Sequence, residues 1–452
     1  MHIHILGICG TFMGGIAALA RAAGHTVTGS DSGVYPPMST QLEAVGIELI
    51  DGFAPEQLEP RPDLVVVGNV LSRGMPIVEA LLDSGAPYTS GPAWLAEHVL
   101  RDRHVIAIAG THGKTTTASM TAWILEHAGL DPGFLIGGVP TNFSTTARLG
   151  SGSCFVIEAD EYDTAFFDKR AKFLHYGPRT LVINNLEFDH ADIYQNMDAI
   201  LWQFHQLLRL LPGQGQLIAN AAEPSIDTLL EMGCWSALER YTSAAGWSGS
   251  WRGEPADGGF RLHAPAEGVV AEAQLALPGA HNIENAVAAL LAARHAGVEL
   301  EAGCAALGAF GGVTRRMEFL GDFDGVRVYD DFAHHPTAIR RTLQAARQAF
   351  AGRVIAVVEP RSNSMKLGAH RAELADSLRG ADRVWAFAPD DLPWSLASTL
   401  APLATCTVMD ATEPLIAALV AEAQPGDAVI IMSNGGFANM RDRLCRALEQ
   451  RN

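Results

Sequence analysis

The sequence predicts an α/β protein in three blocks, each organised around a largely parallel sheet. Three observations carry that prediction. Short apolar runs alternate with helical patterns along most of the chain, as strands joined by crossover helices do. Two of those runs lead straight into glycine-containing loops, at 7–15 and 110–116, and open parallel sheets bind ligands at the carboxyl ends of their strands. Finally, 452 residues are too many for one ordinary core, and a 48% apolar content can fill more than one.

The first block covers 1–100. A strand over 2–6 precedes the loop GICGTFMGG, and a helix follows over 16–23. Strands at 26–29, 64–67 and 87–89 and helices at 39–45 and 76–84 continue the alternation. Polar RDRH at 101–104 marks the boundary to the second block, 101–310. That block opens with a strand over 105–109, the loop GTHGKTTT, and a helical pattern through Ala118, Met120, Thr121, Ile124 and Leu125. Strands at 154–157 and 180–183 and helices at 197–211 and 282–296 follow. Between those helices, 223–274 is rich in Gly, Ser and Trp and reads as an excursion of strands and loops. The third block, 311–452, carries buried strands at 327–329, 354–358, 384–387 and 428–432, with helices between them.

A net charge of −18 removes the basic footprint that a nucleic-acid surface requires. It leaves nucleotide substrates open, because glycine loops and a few local cations bind phosphate within an acidic protein. The six cysteines contain no C-x-x-C and suit free thiols in a reducing cytosol. The N-terminus has no basic leader region, and no apolar run is long enough to span a membrane. A cytoplasmic location is expected.

The sharpest chemical signal is Gly110, Thr111, His112, Gly113, Lys114, Thr115 and Thr116 between a strand and a helix. Glycines let backbone N–H groups close around phosphate oxygens, and the helix N-terminus adds a favourable dipole. A lysine here reaches the outer phosphates, and the threonine hydroxyl can ligate Mg²⁺. The usual first glycine is displaced, since Ile108 stands five positions before Gly113 and Gly110 only three; this is a short-loop subclass. The N-terminal loop is less specific. Cys9 replaces the middle glycine of G-x-G-x-x-G, and Asp31 lies about twenty positions on, so a nucleotide site and a tight structural turn both fit.

Two acidic segments, EADEYD at 158–163 and NNLEFDH at 184–190, follow strands of the second block. Their carboxylates and imidazole could hold magnesium against ATP, or form solvated acidic loops. HNIEN at 281–285 either caps a helix or meets an adenine. Arg315-Arg316 is a surface pair or a hinge that reaches phosphates, and DDFAHHP at 330–336 holds more ionisable groups than a turn needs.

Together, GTHGKTTT, EADEYD, NNLEFDH, LPGAHNIENAVAA, GGVTRRMEF and DDFAHHPT, in this order and across all three blocks, resemble the Mur ligase family. These are ATP-dependent enzymes that join amino acids or peptides to UDP-N-acetylmuramate. The resemblance implies a Rossmann-like UDP-sugar domain over 1–100, a central P-loop ATPase domain over 101–310, and an α/β acceptor-peptide domain over 311–452. It implies Lys114 on the β/γ-phosphates, Thr115, Glu158 and His190 on magnesium, and His281 and Asn285 on adenine. Arg316 and Asp331 would close on the nucleotide, and Gly7, Gly10, Gly14, Gly15 and Asp31 would meet the UDP group.

Relatives carry a carbamylated lysine where this chain has His205, so no carbamate forms there. The N-terminal GICGTFMGG is similar to the branch that adds L-alanine. SDSGVYPPMSTQLE, EPRSNSMK and MSNGGF resemble instead the branch that attaches the recycled tripeptide L-alanyl-γ-D-glutamyl-meso-diaminopimelate. Arg361, Ser362 and Asn363 follow a strand and are the expected peptide contacts, with His335; His334 and His335 are candidates for the base that takes the amine's proton. Two other classes compete. A nicotinamide oxidoreductase would use the N-terminal loop but leave the phosphate loop unexplained. A P-loop regulatory ATPase would need no carboxylate substrate.

Overall fold

The computed structural model describes residues 1–34 and 38–451. Residues 35–37, inside the SDSGVYPPMSTQLE segment, lie outside the described residues. The chain forms two units. The first gathers 1–187, 197–274 and 284–311; the second gathers 188–196, 275–283 and 312–452. The expected boundary near residue 100 falls inside the first unit.

The first unit contains two large sheets. One has five parallel strands in the order Glu48–Asp51, Thr26–Asp31, His2–Leu6, Leu64–Val67 and Tyr88–Ser90. Chain order reverses beside His2–Leu6, and the glycine loop leaves that strand, which places it at the switch point of the sheet. The helix after it runs Thr11–Ala22, five residues earlier than the sequence suggests. Gly14 and Gly15 are therefore helical rather than part of the loop. Helix packing explains them: a Cβ on Gly14 would lie 2.6 Å from Met38 Sδ, and one on Gly15 would lie 2.2 Å from Leu135 Cδ1.

The other sheet has ten strands. Its middle is parallel and runs Gln216–Asn220, Thr180–Ile183, His104–Ala109, Cys154–Ala159. These strands are buried on both faces, which is why they read as continuous apolar runs. The 223–274 excursion extends this sheet. It supplies Ala237–Thr242 and then the meander Trp251–Ala256, Gly259–Ala264 and Gly268–Gln274. It also holds a helix, Pro224–Glu231, not foreseen from sequence. Only two turns long, that helix buries Ile226 and Leu229, too few positions to set a period.

The second unit is built on six strands ordered Glu318–Phe323, Val326–Asp331, Ala428–Met432, Val354–Val358, Arg383–Phe387 and Cys406–Met409, all parallel except the first. Along the central strand, Val354, Ala356 and Val358 pack with Ile339 and Leu343, whereas Ile355 and Val357 pack with Leu415, Leu419 and Leu444. Each of the Val, Ile and Leu side chains contributes about 1.5–3 kcal/mol of burial. The result is a rigid platform under the loops at its carboxyl edge.

Candidate active site

In the first unit the phosphate loop leaves strand His104–Ala109 and enters helix Lys114–His127. Two glycines are required by geometry. Gly110 has φ +124°, and a Cβ there would meet the Asn185 backbone oxygen at 2.8 Å; Gly113 has φ +81°, and a Cβ would lie 2.5 Å from Asn285 Oδ1. The loop is braced from the neighbouring strand end. Asn185 Oδ1 accepts from the His112 N–H at 2.7 Å, and the Asn185 carbonyl accepts from the Thr111 N–H at 3.0 Å. Below the loop runs a buried chain of donors: Tyr241 to Asn184, Asn184 to Thr117, Thr117 to Asn285, at 2.8, 3.1 and 3.2 Å. Asn285, expected at an adenine, thus also fixes the first turn of the phosphate-loop helix.

Lys114 donates to the Gly110 carbonyl at 2.6 Å and to Glu161 Oε2 at 3.1 Å. Its side chain is 14% exposed and that of Glu161 is 3% exposed. Burial alone would lower the lysine pKa, but Glu161, Asp160 and Glu158 outweigh it and raise it. Glu161 and Asp160 were not singled out from the sequence; their place in EADEYD, directly after a strand beside the phosphate loop, was the available signal. Glu158 lies on that strand opposite Ile108, and its Oε1 accepts from the Gly137 N–H at 2.8 Å. Thr115 is buried in the first helical turn, and Thr116 beside it.

The N-terminal glycine loop is held differently. Asp31 Oδ2 accepts from the Cys9 N–H at 2.8 Å and Oδ1 from the Gly33 N–H at 3.0 Å, so both carboxylate oxygens shape the loop. Burial, with Asp31 beside it, pushes the Cys9 thiol up to about 11, leaving it neutral at pH 7. A cavity opens over Gly7, Gly10 and the start of helix Thr11–Ala22, with Asp31, Asn69, Asp160, Tyr162 and Lys172 on its walls. Gly14 and Gly15 stand behind it in the helix.

In the second unit, the carboxyl ends of three adjacent parallel strands carry DDFAHH, SNGGF and EPRSNS. Asp331 is 5% exposed; burial raises its pKa, against Arg316 and the N–H groups of Ala333 and Met317. Arg315 donates to Asp330 at 3.0 Å and to the Ser433 and Gly435 carbonyls at 2.7 and 2.9 Å. The Arg316 guanidinium lies 5.0 Å from the Phe332 ring centre. His335 Nδ1 accepts from the Thr337 N–H and caps helix Pro336–Ala349, and its ring meets His370 edge-on at 4.2 Å.

Arg361 is half exposed, 3.7 Å from Glu359, and packs over Gly435. Ser362 caps the short helix Asn363–Lys366, and Asn363 donates to Asp192 at 2.7 Å. His190 also belongs to this unit, in a left-handed conformation at φ 55°. Its neighbour Asp189 accepts from Ser364 Oγ at 2.6 Å, and despite burial its carboxyl is held far below the usual range by His370, His190 and Ser364. Burial, with Arg341 nearby, pushes His281 down to about 4. His205 lies elsewhere, in helix Met197–Leu210 of the first unit. It is buried beside Trp202 and Trp235, with ring centres 6.0 and 5.8 Å away.

A central phosphate loop, a glycine loop at a separate sheet's switch point, and a second unit with ionisable strand-end loops define a nucleotide-dependent enzyme. Family models agree. The Mur ligase family catalytic domain matches 2–103, the Mur ligase middle domain matches 108–293, and the Mur ligase glutamate ligase domain matches 315–435; the chain belongs to the Mur ligase family. It is 52% identical over 460 residues to the UDP-N-acetylmuramate–L-alanyl-γ-D-glutamyl-meso-2,6-diaminoheptandioate ligase of Escherichia coli, covering 100% of this chain and 99% of that protein. The crystal structure of a murein peptide ligase from Psychrobacter arcticus matches with a TM-score of 0.76 and 47% identity, covering 100% of this chain and 99% of that one. The UDP-N-acetylmuramate–L-alanine ligase of Saccharopolyspora erythraea is 34% identical, over 99% of this chain and 93% of that protein.

Proposed function

We infer that the protein is an ATP-dependent, ADP-forming ligase that joins L-alanyl-γ-D-glutamyl-meso-diaminopimelate to UDP-N-acetylmuramate in peptidoglycan recycling. The observation that carries this is 52% identity to the tripeptide ligase along the whole chain, against 34% to an alanine ligase of similar coverage. A carboxylate is a poor electrophile. ATP overcomes this: the lactyl carboxylate takes the γ-phosphoryl group and becomes an acyl phosphate. The peptide amine then attacks that carbonyl carbon, loses its proton, and the tetrahedral intermediate expels phosphate. Catalysis is mostly positioning and charge neutralisation on the transferring group.

The residue roles proposed here are those the family resemblance implies. Lys114 neutralises the outer phosphates, with Gly110 to Thr116 around them. His281 and Asn285 are assigned to the adenine, and Arg316 and Asp331 to the nucleotide. The three-domain division at 1–100, 101–310 and 311–452 assigns UDP-sugar, ATP and acceptor peptide in that order. Gly7 and Gly10 form the UDP loop, Asp31 holds its shape, and Gly14 and Gly15 seat its helix. Ser362 and Asn363, with His335, line the peptide site beside Arg361.

Mg²⁺ is the fitting cation. Three carboxylates, Glu158, Asp160 and Glu161, act on the ammonium of Lys114, and this excess of negative oxygen suits a hard divalent ion. Glu158, Thr115 and His190 would hold it. When bound, it supplies charge neutralisation for the polyphosphate. Glu158→Ala and His190→Ala should each raise the Mg²⁺ concentration needed for half-maximal rate; titrations that overlay wild type for both would remove this assignment. Among the described residues no helix is long and apolar enough to cross a membrane. With nucleotide-sugar and ATP as substrates, the cytoplasm is the proposed location.

The deciding experiment compares acceptors. kcat/KM for the tripeptide should exceed that for L-alanine. Arg361→Ala should cost the tripeptide about 1.5–3 kcal/mol, the range for a hydrogen bond to a charged group, and leave the KM for ATP unchanged. Equal or better use of L-alanine by the wild type would instead make the protein an alanine ligase.

A further inference from the structure

We propose that Lys172 is the cationic contact for the diphosphate of the sugar nucleotide, reaching the N-terminal glycine loop from a different sheet's connecting segment. This deepens the UDP-N-acetylmuramate assignment and rests on it. Lys172 is 7% exposed, yet it lines the cavity above the loop. Its ammonium lies 5.2 Å from the ring centre of Phe12 and 5.3 Å from that of Tyr162. Among the described residues it forms no ion pair and no side-chain hydrogen bond. Aromatic faces repay only part of the cost of burying an ammonium.

The nearby carboxylates do not complete it. Both oxygens of Asp31 accept backbone N–H groups, and Asp160 Oδ1 accepts from the Tyr162 N–H at 2.8 Å. The second positive feature is the start of helix Thr11–Ala22. Its N-cap is Gly10, which has no side chain to accept from the first turn, so those N–H groups and the positive dipole end border the same cavity. A buried cation and a helix N-terminus of like sign border one space. That arrangement suits a dianion between them, with Phe12 of the first helical turn 5.2 Å from the Lys172 ammonium. A diphosphate meets both features at once, one phosphoryl group on the N–H groups and one on the ammonium. The lactyl carboxylate, a single charge, would use only one.

Calorimetric binding to UDP-N-acetylmuramate, UDP and uridine, without ATP or peptide, tests this on the full chain. Wild type should bind UDP far more tightly than uridine. Lys172→Met should weaken UDP and UDP-N-acetylmuramate by roughly 10- to 100-fold, as expected for a charged hydrogen bond, while uridine binding, ATP binding and thermal unfolding stay the same. Lys172→Arg should recover part of the loss, and Lys172→Gln replaces the methionine variant if that one does not fold. A variant that keeps the UDP-over-uridine preference overturns the proposal. So does one that loses only the preference for UDP-N-acetylmuramate over UDP, which would place the ammonium on the carboxylate. Wild type that binds neither UDP nor UDP-N-acetylmuramate would remove the substrate assignment itself, and this inference with it.

Discussion

The two glycine loops of the first unit share a plan and differ in where their charge comes from. Each leaves a central parallel strand and enters a long helix. The loop at 110–116 carries its own cation, Lys114, four residues after Gly110 and hydrogen-bonded back to it. The loop at 7–10 carries none, and the lysine above it, Lys172, comes from a segment more than 150 residues away. Their bracing differs in the same sense. Asparagines from an adjacent strand end hold the phosphate loop through neutral amides, while one carboxylate, Asp31, pins the N-terminal loop. A loop that meets a transferring phosphoryl group needs its cation in fixed register with the backbone donors. A loop that only binds a diphosphate can take its cation from a neighbour.

On that contrast, the largest effect belongs to Lys114. Lys114→Ala should lower the ligation rate by roughly 10²–10⁴, the scale for removing a charge aimed at the group in transfer. Binding of UDP-N-acetylmuramate should be nearly unchanged, because the sugar nucleotide is assigned to the other loop. A folded variant with wild-type turnover would break the assignment, and a parallel loss of sugar-nucleotide binding would blur the division between the loops.

Asp31→Asn comes next. The amide oxygen can replace one of the two carboxylate acceptors, but the amide NH2 would face the other backbone N–H donor to donor, so one bond to the loop backbone is lost and the remaining one is no longer charge-assisted. The expected cost is about 1–2 kcal/mol in UDP-N-acetylmuramate binding, with kcat and the KM for ATP preserved. If KM for ATP moves instead, the two loops are not independent.

The same contrast sets what was legible in the sequence. The phosphate loop could be read because its donors, cation and hydroxyl are contiguous, and the flanking strand and helix confirm the context. The sheets were legible too, because strands buried on both faces are short apolar runs. What escaped depends on contacts distant in sequence. Nothing local says that Asn184 and Asn185 brace a loop seventy residues earlier, that Glu161 meets Lys114, or that Lys172 stands over Phe12. Gly14 and Gly15 look like loop in the sequence because glycine spacing alone does not separate a turn from a helix packed close to its neighbours. His205 was legible only as a departure from a pattern; its burial beside two tryptophans required the fold.

The smallest effect at neutral pH, and the most specific, concerns Glu161. Lys114 is buried, and burial favours the neutral amine; the carboxylates reverse that and raise the pKa above its ordinary value. A lysine with a raised folded-state pKa contributes its charge, and the associated stability, throughout the range below about 10.4, its unfolded value. That contribution is lost only as the pH rises through the higher folded-state value. In wild type, kcat/KM for ATP should therefore show no alkaline limb due to Lys114 at or below that unfolded value. Glu161→Gln removes the nearest carboxylate but leaves the burial, so the lysine pKa must fall. At pH 7 the ammonium persists and the rate should change little. At higher pH an alkaline limb should enter, at lower pH than in wild type, because kcat/KM reports groups of the free enzyme. Asp160 and Glu158 remain, so the limb should shift without reaching neutrality. An unchanged profile would mean that Glu161 does not govern the charge on Lys114. A large loss already at pH 7 would mean that Glu161 acts in the reaction itself and not through the lysine.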